Sequence, residues 1–331
     1  MKLHNKLSIA YSLFKAKFFR VKIPIIVSWL ITQRCNAACK YCSSHKIADS
    51  EELDTETVFL IARQLSQLGT KAIILTGGEP MLRDDIGEIV DFCVYHNMAV
   101  IINSNGYQIK DRIEEIEKIH MLNLSLDGPE NINDKIRGAG SFKQVMEAAN
   151  IASEKGIRVS FTTVLSRVNL NKETIDYLLG ICAEFDATVT FQPVIKKFLR
   201  GEGFHSLAPS KEEYKSIIEY IISIKRKSKY IRNSLTALKY FRSWPDYKPI
   251  KCAGPYIYRR IDNKGNVTIC GRVENKGEIK NCLRDNFKEA ILNIGTIDCK
   301  NCWCASRVEM NYLFSLYPEV AINTLWNTFF R

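Results

Sequence analysis

The chain has no uninterrupted apolar run of the roughly 18 to 20 residues that a membrane-spanning helix needs. Its opening stretch, broken throughout by Lys and Arg, has no signal-peptide core ending in a small-residue cleavage site. Such a chain is expected to stay in the cytoplasm. Proline and glycine are sparse, 9 and 17 of 331 residues, which excludes collagen-like and low-complexity readings. At 46% hydrophobic and 25% charged, the remaining sequence suffices for one large core and a small second domain. Acid is missing altogether from residues 1–48, where nine Lys and Arg, from Lys2 to Lys46, precede Asp49. A second basic stretch runs from Lys196 to Arg260, and the formal net charge is +11. Two faces are therefore expected to attract anions such as phosphates, acidic peptide segments or a lipid surface, the plainer alternative being a solvated exterior. Histidine is scarce too, and His96, His120 and His205 read as packing or surface residues rather than ligands.

Cysteine is the exception. Eleven are too few for a disulfide scaffold in so long a chain, and the number is odd. They are grouped: Cys35, Cys39 and Cys42 near the start, and Cys252, Cys270, Cys282, Cys299, Cys302 and Cys304 in the last quarter. Cys93 and Cys182 stand alone on helical patterns and read as buried core thiols. In a reducing compartment this grouping points to two metal sites.

From about residue 24 to 195 short β-rich apolar runs alternate with helical patterns. Strands are predicted at Ile26 to Ile31, Ala72 to Leu75, Val100 to Asn103, Leu122 to Leu126, Arg158 to Val164 and Thr188 to Gln192. Helices are predicted over about 55–68, 84–96, 110–119, 141–155 and 171–185. The pattern predicts an α/β fold, a partial (β/α)6 TIM-like barrel with ligand chemistry at the carboxyl ends of its strands. After Pro193 the rhythm changes to two basic helices over 209–242, then a hairpin turning at Asn263-Lys264-Gly265-Asn266 between Tyr256–Ile261 and Val267–Ile269. The expected organisation is a basic amphipathic segment (1–23), the barrel (24–195), a basic helical connector (196–250) and a small cysteine-rich α+β domain (251–331) with an aromatic C-terminal helix.

Cys35-Asn-Ala-Ala-Cys39-Lys-Tyr41-Cys42 follows directly on the first strand, so three soft thiolate donors gather in one loop at the barrel mouth. With His45 as a fourth ligand the loop would read as a structural zinc site. The C-x3-C-x2-C spacing with an aromatic before its last cysteine resembles the loop of the radical S-adenosylmethionine (SAM) enzymes. In that family three cysteines bind a [4Fe-4S] cluster whose fourth iron chelates SAM. The resemblance implies Cys35, Cys39 and Cys42 as cluster ligands and Tyr41 as the aromatic near the adenine. Gly77-Gly78-Glu79-Pro80, at the end of the second strand, is similar to the family's second motif and implies SAM binding by Gly77, Gly78 and Glu79. Ser104 and Asn105 after the third strand, and Ser125 and Asp127 after the fourth, offer groups suited to ribose and carboxylate. Arg137, in Asn133-Asp-Lys-Ile-Arg-Gly, resembles an arginine that pairs with SAM's carboxylate, although Asn133 stands where His is usual.

Toward the C-terminus, Cys252 and Cys270 flank the predicted hairpin and Cys299-Lys-Asn-Cys302-Trp-Cys304 follows; from spacing alone zinc-ribbon and iron-sulfur readings stand level. The C-x12-G-x4-C element is similar to the opening of SPASM and Twitch extensions of radical SAM enzymes. That likeness implies one auxiliary [4Fe-4S] cluster on Cys252, Cys270, Cys299 and Cys302, with Cys304 as a substitute and Cys282 either ligating or free. The family implies reductive cleavage of SAM to a 5'-deoxyadenosyl radical that abstracts hydrogen from substrate. An auxiliary cluster then assists oxidation or bond formation. A ribosomally made peptide is the expected substrate, with a reductase, flavodoxin or ferredoxin as electron donor and no nucleic acid as partner. A competing reading uses Leu3, Leu7, Tyr11, Phe14 and Phe18, apolar at helical spacing among Lys and Arg, as an interfacial helix. Contact with the inner face of the membrane and a lipid or isoprenoid substrate follow from it. A third, of another class, is a non-catalytic iron-sulfur electron-transfer protein.

Overall fold

In the computed structural model, which describes residues 3–42, 44, 51–194, 207–271, 279–295 and 301–329, six strands follow in chain order. They are β1 (Ile26–Thr32), β2 (Ala72–Gly77), β3 (Ala99–Ser104), β4 (Met121–Ser125), β5 (Val159–Leu165) and β6 (Thr188–Pro193), each parallel to the next. Helices Thr55–Gln67, Ile86–Tyr95, Ser141–Glu154 and Lys172–Glu184 form the major crossovers. The α/β class and the six-unit arc expected from the sequence are what the chain forms. Along each strand every second residue is buried beneath the helices, among them Val27, Trp29, Ile73, Leu75, Val100, Ile102, Leu122, Leu124, Phe161 and Phe191. The intervening positions, including Ser28, Leu30, Ile74, Ile101, Asn103, Asn123, Thr162 and Thr190, are half-buried and line the opposite, inner face.

Local sequence explains the crossovers. Asp54 accepts from the Thr57 amide at 2.8 Å and starts helix Thr55–Gln67, whose Val58, Ile61, Ala62 and Leu65 recur at helical spacing and are all buried. Each such buried Val, Ile or Leu contributes roughly 1.5–3 kcal/mol. Asn171 caps Lys172–Glu184 in the same way. One helix escaped the periodicity: Glu130–Arg137, eight residues with Asn, Asp, Lys and Glu on most positions and only Ile132 and Ile136 apolar.

The sheet does not stop at the barrel. β7 (Tyr258–Ile261) lies parallel beside β1, from Ile26 opposite Tyr258 to Trp29 opposite Ile261. β8 (Asn266–Thr268) and β9 (Lys280–Asn281) continue it antiparallel, giving the order β6-β5-β4-β3-β2-β1-β7-β8-β9. The hairpin thus has its expected turn, with Gly265 at φ +79°, but it extends the barrel sheet rather than beginning a separate one. Tyr256 and Ile257, expected in its first strand, instead belong to a helical turn, Gly254–Ile257, started by Pro255. Arg259, fully buried on β7, donates to the carbonyls of Gly254, Pro255, Tyr258, Ile291 and Leu292.

The N-terminal helix Leu3–Phe18 turns Ile9, Leu13 and Ala16 onto Ala253, Ile257 and Phe314. The connector helices Lys211–Lys225 and Leu235–Phe241 flank a segment in which Asn233 exchanges hydrogen bonds with the Phe191 backbone (2.8 and 3.1 Å), closing the free edge of β6. Helices Ala305–Phe314 and Pro318–Phe329 complete the fold. His45, His205 and Cys299, and the side chain of Leu3, lie outside the described residues. No described helix is long and apolar enough to cross a membrane.

Candidate cysteine centre at the barrel mouth

β1 ends at Thr32, and the three-cysteine loop leaves from it at the carboxyl edge of the sheet. The turn after β2 holds this loop by backbone contacts. Gly78 N–H donates to Thr32 O at 3.0 Å and Glu79 N–H to Arg34 O at 2.7 Å. A Cβ on Gly77 would stand 2.0 Å from Thr32 O, and one on Gly78 would stand 1.9 Å from Arg34 O. The paired glycines therefore admit the cysteine loop itself, a role the sequence reading assigned to approach of a ligand.

The Glu79 carboxylate is buried, accepting from Ser104 Oγ (2.9 Å), Asn105 N–H (2.7 Å) and Met81 N–H (3.2 Å). Burial pushes its pKa up to about 7 against these three bonds, each of which favours the anion. Glu79 and Ser104 thus tie β2 to β3, while Asn105 reaches on to Asn36 Oδ1 at 2.8 Å and toward Cys35 Sγ at 4.0 Å.

Asp127 and Arg137 form a second buried strut. Asp127 is fully buried; its Oδ2 accepts from Tyr41 OH and Arg137 Nε, both at 2.8 Å, and its Oδ1 from Val164 N–H at 2.7 Å. Arg137 lies over the Tyr41 ring at 5.4 Å and approaches Cys39 Sγ at 3.9 Å. Burial opposes its charge, but Asp127 and Tyr41 outweigh burial and raise its pKa. Asp127 and Arg137, both expected at the SAM site, pair with each other. Tyr41 is drawn in by its hydroxyl, and burial pushes that hydroxyl's pKa well up. Ser125 sits half-buried at the end of β4. Asn133, in the place of the usual His, is buried and accepts from Asp127 N–H at 2.9 Å, and Asn169 donates to Asp127 O at 2.9 Å. Asn169 had no signal in the sequence beyond its position after a strand.

The three thiols share this loop. Cys42 N–H bonds to Cys39 O at 2.9 Å and Lys40 N–H to Ile136 O at 2.9 Å. Burial pushes Cys35 up to about 11 and Cys39 also up, and the neighbouring thiols add to both shifts. A bound metal charge would favour the thiolate form of such ligands. Among the described residues no three Cys, His, Asp or Glu side chains are drawn into a closed metal-holding group. The donor set nevertheless fits an iron-sulfur cluster: three soft ligands, with Asn105 and Arg137 as N–H donors toward sulfur.

A second set gathers at the other end of β7. Burial, reinforced by Cys304, Cys270 and Cys252, pushes the Cys302 thiol well up, so these four lie within electrostatic reach of one another. Gly254 N–H points to Cys252 Sγ at 3.4 Å and Asn311 Nδ2 to Cys302 Sγ at 3.7 Å, again the N–H···S contacts a thiolate cluster uses. Cys282 is buried with Asp262 and Asp285 for charged neighbours. Cys93 and Cys182 are buried in the core, as expected.

A parallel β/α arc with a C-x3-C-x2-C loop clamped at its carboxyl mouth defines a class of iron-sulfur-type barrel proteins. Within it, residues 29–182 match the Radical SAM superfamily. It is similar to mycofactocin maturase MftC of Mycolicibacterium smegmatis, 27% identical over 206 residues, covering 60% of this chain and 52% of that protein. It is also similar to the AdoMet-dependent heme synthase of Nitratidesulfovibrio vulgaris, 24% identical over 224 residues, covering 66% and 60%. The chain thus spans about half to three-fifths of the length of these curated relatives. Among solved structures, Streptococcus suis SuiB bound to S-adenosylmethionine shares the fold at a TM-score of 0.66 and 18% identity, over 88% of this chain and 70% of that one. SuiB has also been solved bound to its precursor peptide SuiA.

Proposed function

We propose that the chain is a radical SAM enzyme acting on a ribosomally made peptide. The observation that carries the reading is the cysteine loop held at the carboxyl mouth by Gly77, Gly78 and Glu79, with Asn105 and Arg137 reaching its sulfurs. A [4Fe-4S] cluster on Cys35, Cys39 and Cys42 would supply the electron that cleaves SAM to methionine and a 5'-deoxyadenosyl radical, the species that abstracts hydrogen from substrate. Glu79 and Ser104 fix the turn that shapes the SAM side of the site, and Asp127 with Arg137 holds Tyr41 and Cys39 in place. Cys252, Cys270 and Cys302, with Cys299 or Cys304, form the auxiliary centre that assists oxidation or bond formation. A reductase, flavodoxin or ferredoxin supplies electrons. The peptide substrate is supported by two relatives, one named a maturase and the other solved with a precursor peptide. The test is anaerobic reconstitution followed by SAM and dithionite. 5'-Deoxyadenosine should appear and Cys35→Ala should abolish it; iron-free protein, or equal product from the variant, rejects the reading.

One observation favours a second reading, in which the reaction runs at a membrane on a lipid or isoprenoid. The face of helix Leu3–Phe18 turned away from the core exposes Leu7 (60%), Tyr11 (59%) and Phe18 (57%), with Phe14 (49%) and Phe19 (68%) beside them, the Phe14 ring tilted against Phe18 and edge-on to Phe19. It does so within the acid-free segment, whose charge suits an anionic bilayer. The full chain is expected to float with phosphatidylglycerol-containing vesicles but not with phosphatidylcholine alone. The triple variant Leu7→Ser, Phe14→Ser, Phe18→Ser should stay at the bottom of the gradient. Equal recovery of both proteins would end this reading.

A further inference from the structure

The two cysteine groups lie more than 200 residues apart, yet one buried side chain ties the element that carries the second to the loop that carries the first. Asn263 sits in the turn between β7 and β8, the hairpin that spaces Cys252 from Cys270, and is 1% exposed. Its Oδ1 accepts from Gln33 Nε2 at 2.6 Å, and its Nδ2 donates to Glu51 O at 2.7 Å. Its backbone carbonyl accepts from Leu53 N–H at 3.1 Å. Gln33 is two residues before Cys35, and Glu51 is nine residues after Cys42. Asn263 therefore holds the chain both before and after the cysteine loop.

The neighbours of this grip belong to the loop's own part of the chain. Glu52 pairs with Arg34 at 3.1 Å and with Arg83 at 3.7 Å, and Arg83 donates to Leu53 O at 3.0 Å and Ile31 O at 3.1 Å. These contacts close the loop's base from the side of β1 and β2. The contacts from the far side come from the hairpin turn, with Lys264 adding an exposed pair to Glu51 at 3.0 Å. A polar side chain this deeply enclosed, with acceptor and donor both engaged by groups remote in sequence, fixes distances that a looser turn would leave free.

We propose that Asn263 is a positioning residue for the barrel-mouth cysteines: the C-terminal hairpin sets the closure of the Cys35–Cys42 loop through it. The inference rests on the reading of that loop as a SAM-binding cluster site, and goes beyond it by making the two centres geometrically dependent. Loss of two buried hydrogen bonds of this kind corresponds to about tenfold or more in an equilibrium constant.

The test compares full-length wild type with Asn263→Ala, Gln33→Ala, the double variant and Lys264→Ala, each anaerobically reconstituted. Asn263→Ala is expected to raise the KM for SAM about tenfold and to alter the SAM-induced change in the electron paramagnetic resonance spectrum of the reduced protein. Gln33→Ala, which leaves the hairpin intact, should reproduce both effects, and the double variant should be no worse than either single one. Lys264→Ala should leave both readouts at wild-type values. Hydrogen exchange on protein as isolated gives an arm that needs no cluster: Asn263→Ala and Gln33→Ala should each speed exchange in residues 33–35 and 51–53. Wild-type protein that makes no 5'-deoxyadenosine rejects the proposed function, and the exchange arm then decides the positioning role. Unchanged exchange, or unchanged KM and spectrum in an active protein, overturns the role of Asn263, as does an equal effect from Lys264→Ala.

Discussion

Gly78→Ala is expected to empty the cysteine loop and to cost about 3 kcal/mol or more of stability. The methyl group would meet Arg34 O at 1.9 Å, a backbone atom that moves only if the loop after β1 moves with it. No flexible side-chain end is available to yield, and the Gly78 N–H to Thr32 O bond is strained by the same displacement. Iron content after reconstitution and the denaturation midpoint check the two halves. Alanine tolerated at wild-type iron content would show that the loop is not seated on this turn. An equal methyl at Gly156, which has open space around it, is the control for substitution as such, after allowance for its positive φ of +69°.

Arg137→Met should destabilise the protein by roughly 3–5 kcal/mol, the range seen when one partner of a buried ion pair is removed. Asp127 is fully buried and would be left among Tyr41 OH and Val164 N–H with no counter-charge. The volume is nearly kept, so the loss reports the charge and its two contacts, to Asp127 Oδ2 and toward Cys39 Sγ. Urea midpoints at pH 7 measure it. Pairing Arg137→Met with Asp127→Asn should recover much of the loss, because the uncompensated carboxylate is then gone.

What the sequence revealed and what it hid divide along physical lines. Strand positions were legible because a parallel sheet needs short apolar runs separated by turn residues, and each run from Ile26 to Gln192 falls on an observed strand. The cysteine loop was legible because three thiols so close in sequence share one turn wherever that turn is placed. Glu79 was read in its place but without its surroundings: its number fixes it after β2, but only the folded chain shows Ser104, Asn105 and Met81 closing around its carboxylate. The pairing of Asp127 with Arg137 was hidden, since a sequence shows two charged residues ten apart and not that helix Glu130–Arg137 folds one back upon the other. That helix was missed for the same reason that it works: a short polar helix carries little periodicity, yet it places Asn133 and Arg137 on the Asp127 turn. β7 was read as half of a local hairpin, and its pairing with β1 leaves no local trace because the partner lies more than 200 residues away.

That last pairing bears on how the molecule comes apart. With β7 against one side of β1 and β2 against the other, the first strand of the barrel has both of its edges satisfied only when the chain's final quarter is present. Barrel and tail are accordingly expected to melt together, and a fragment cut ahead of β7 would carry a bare, sticky margin along Ile26–Trp29.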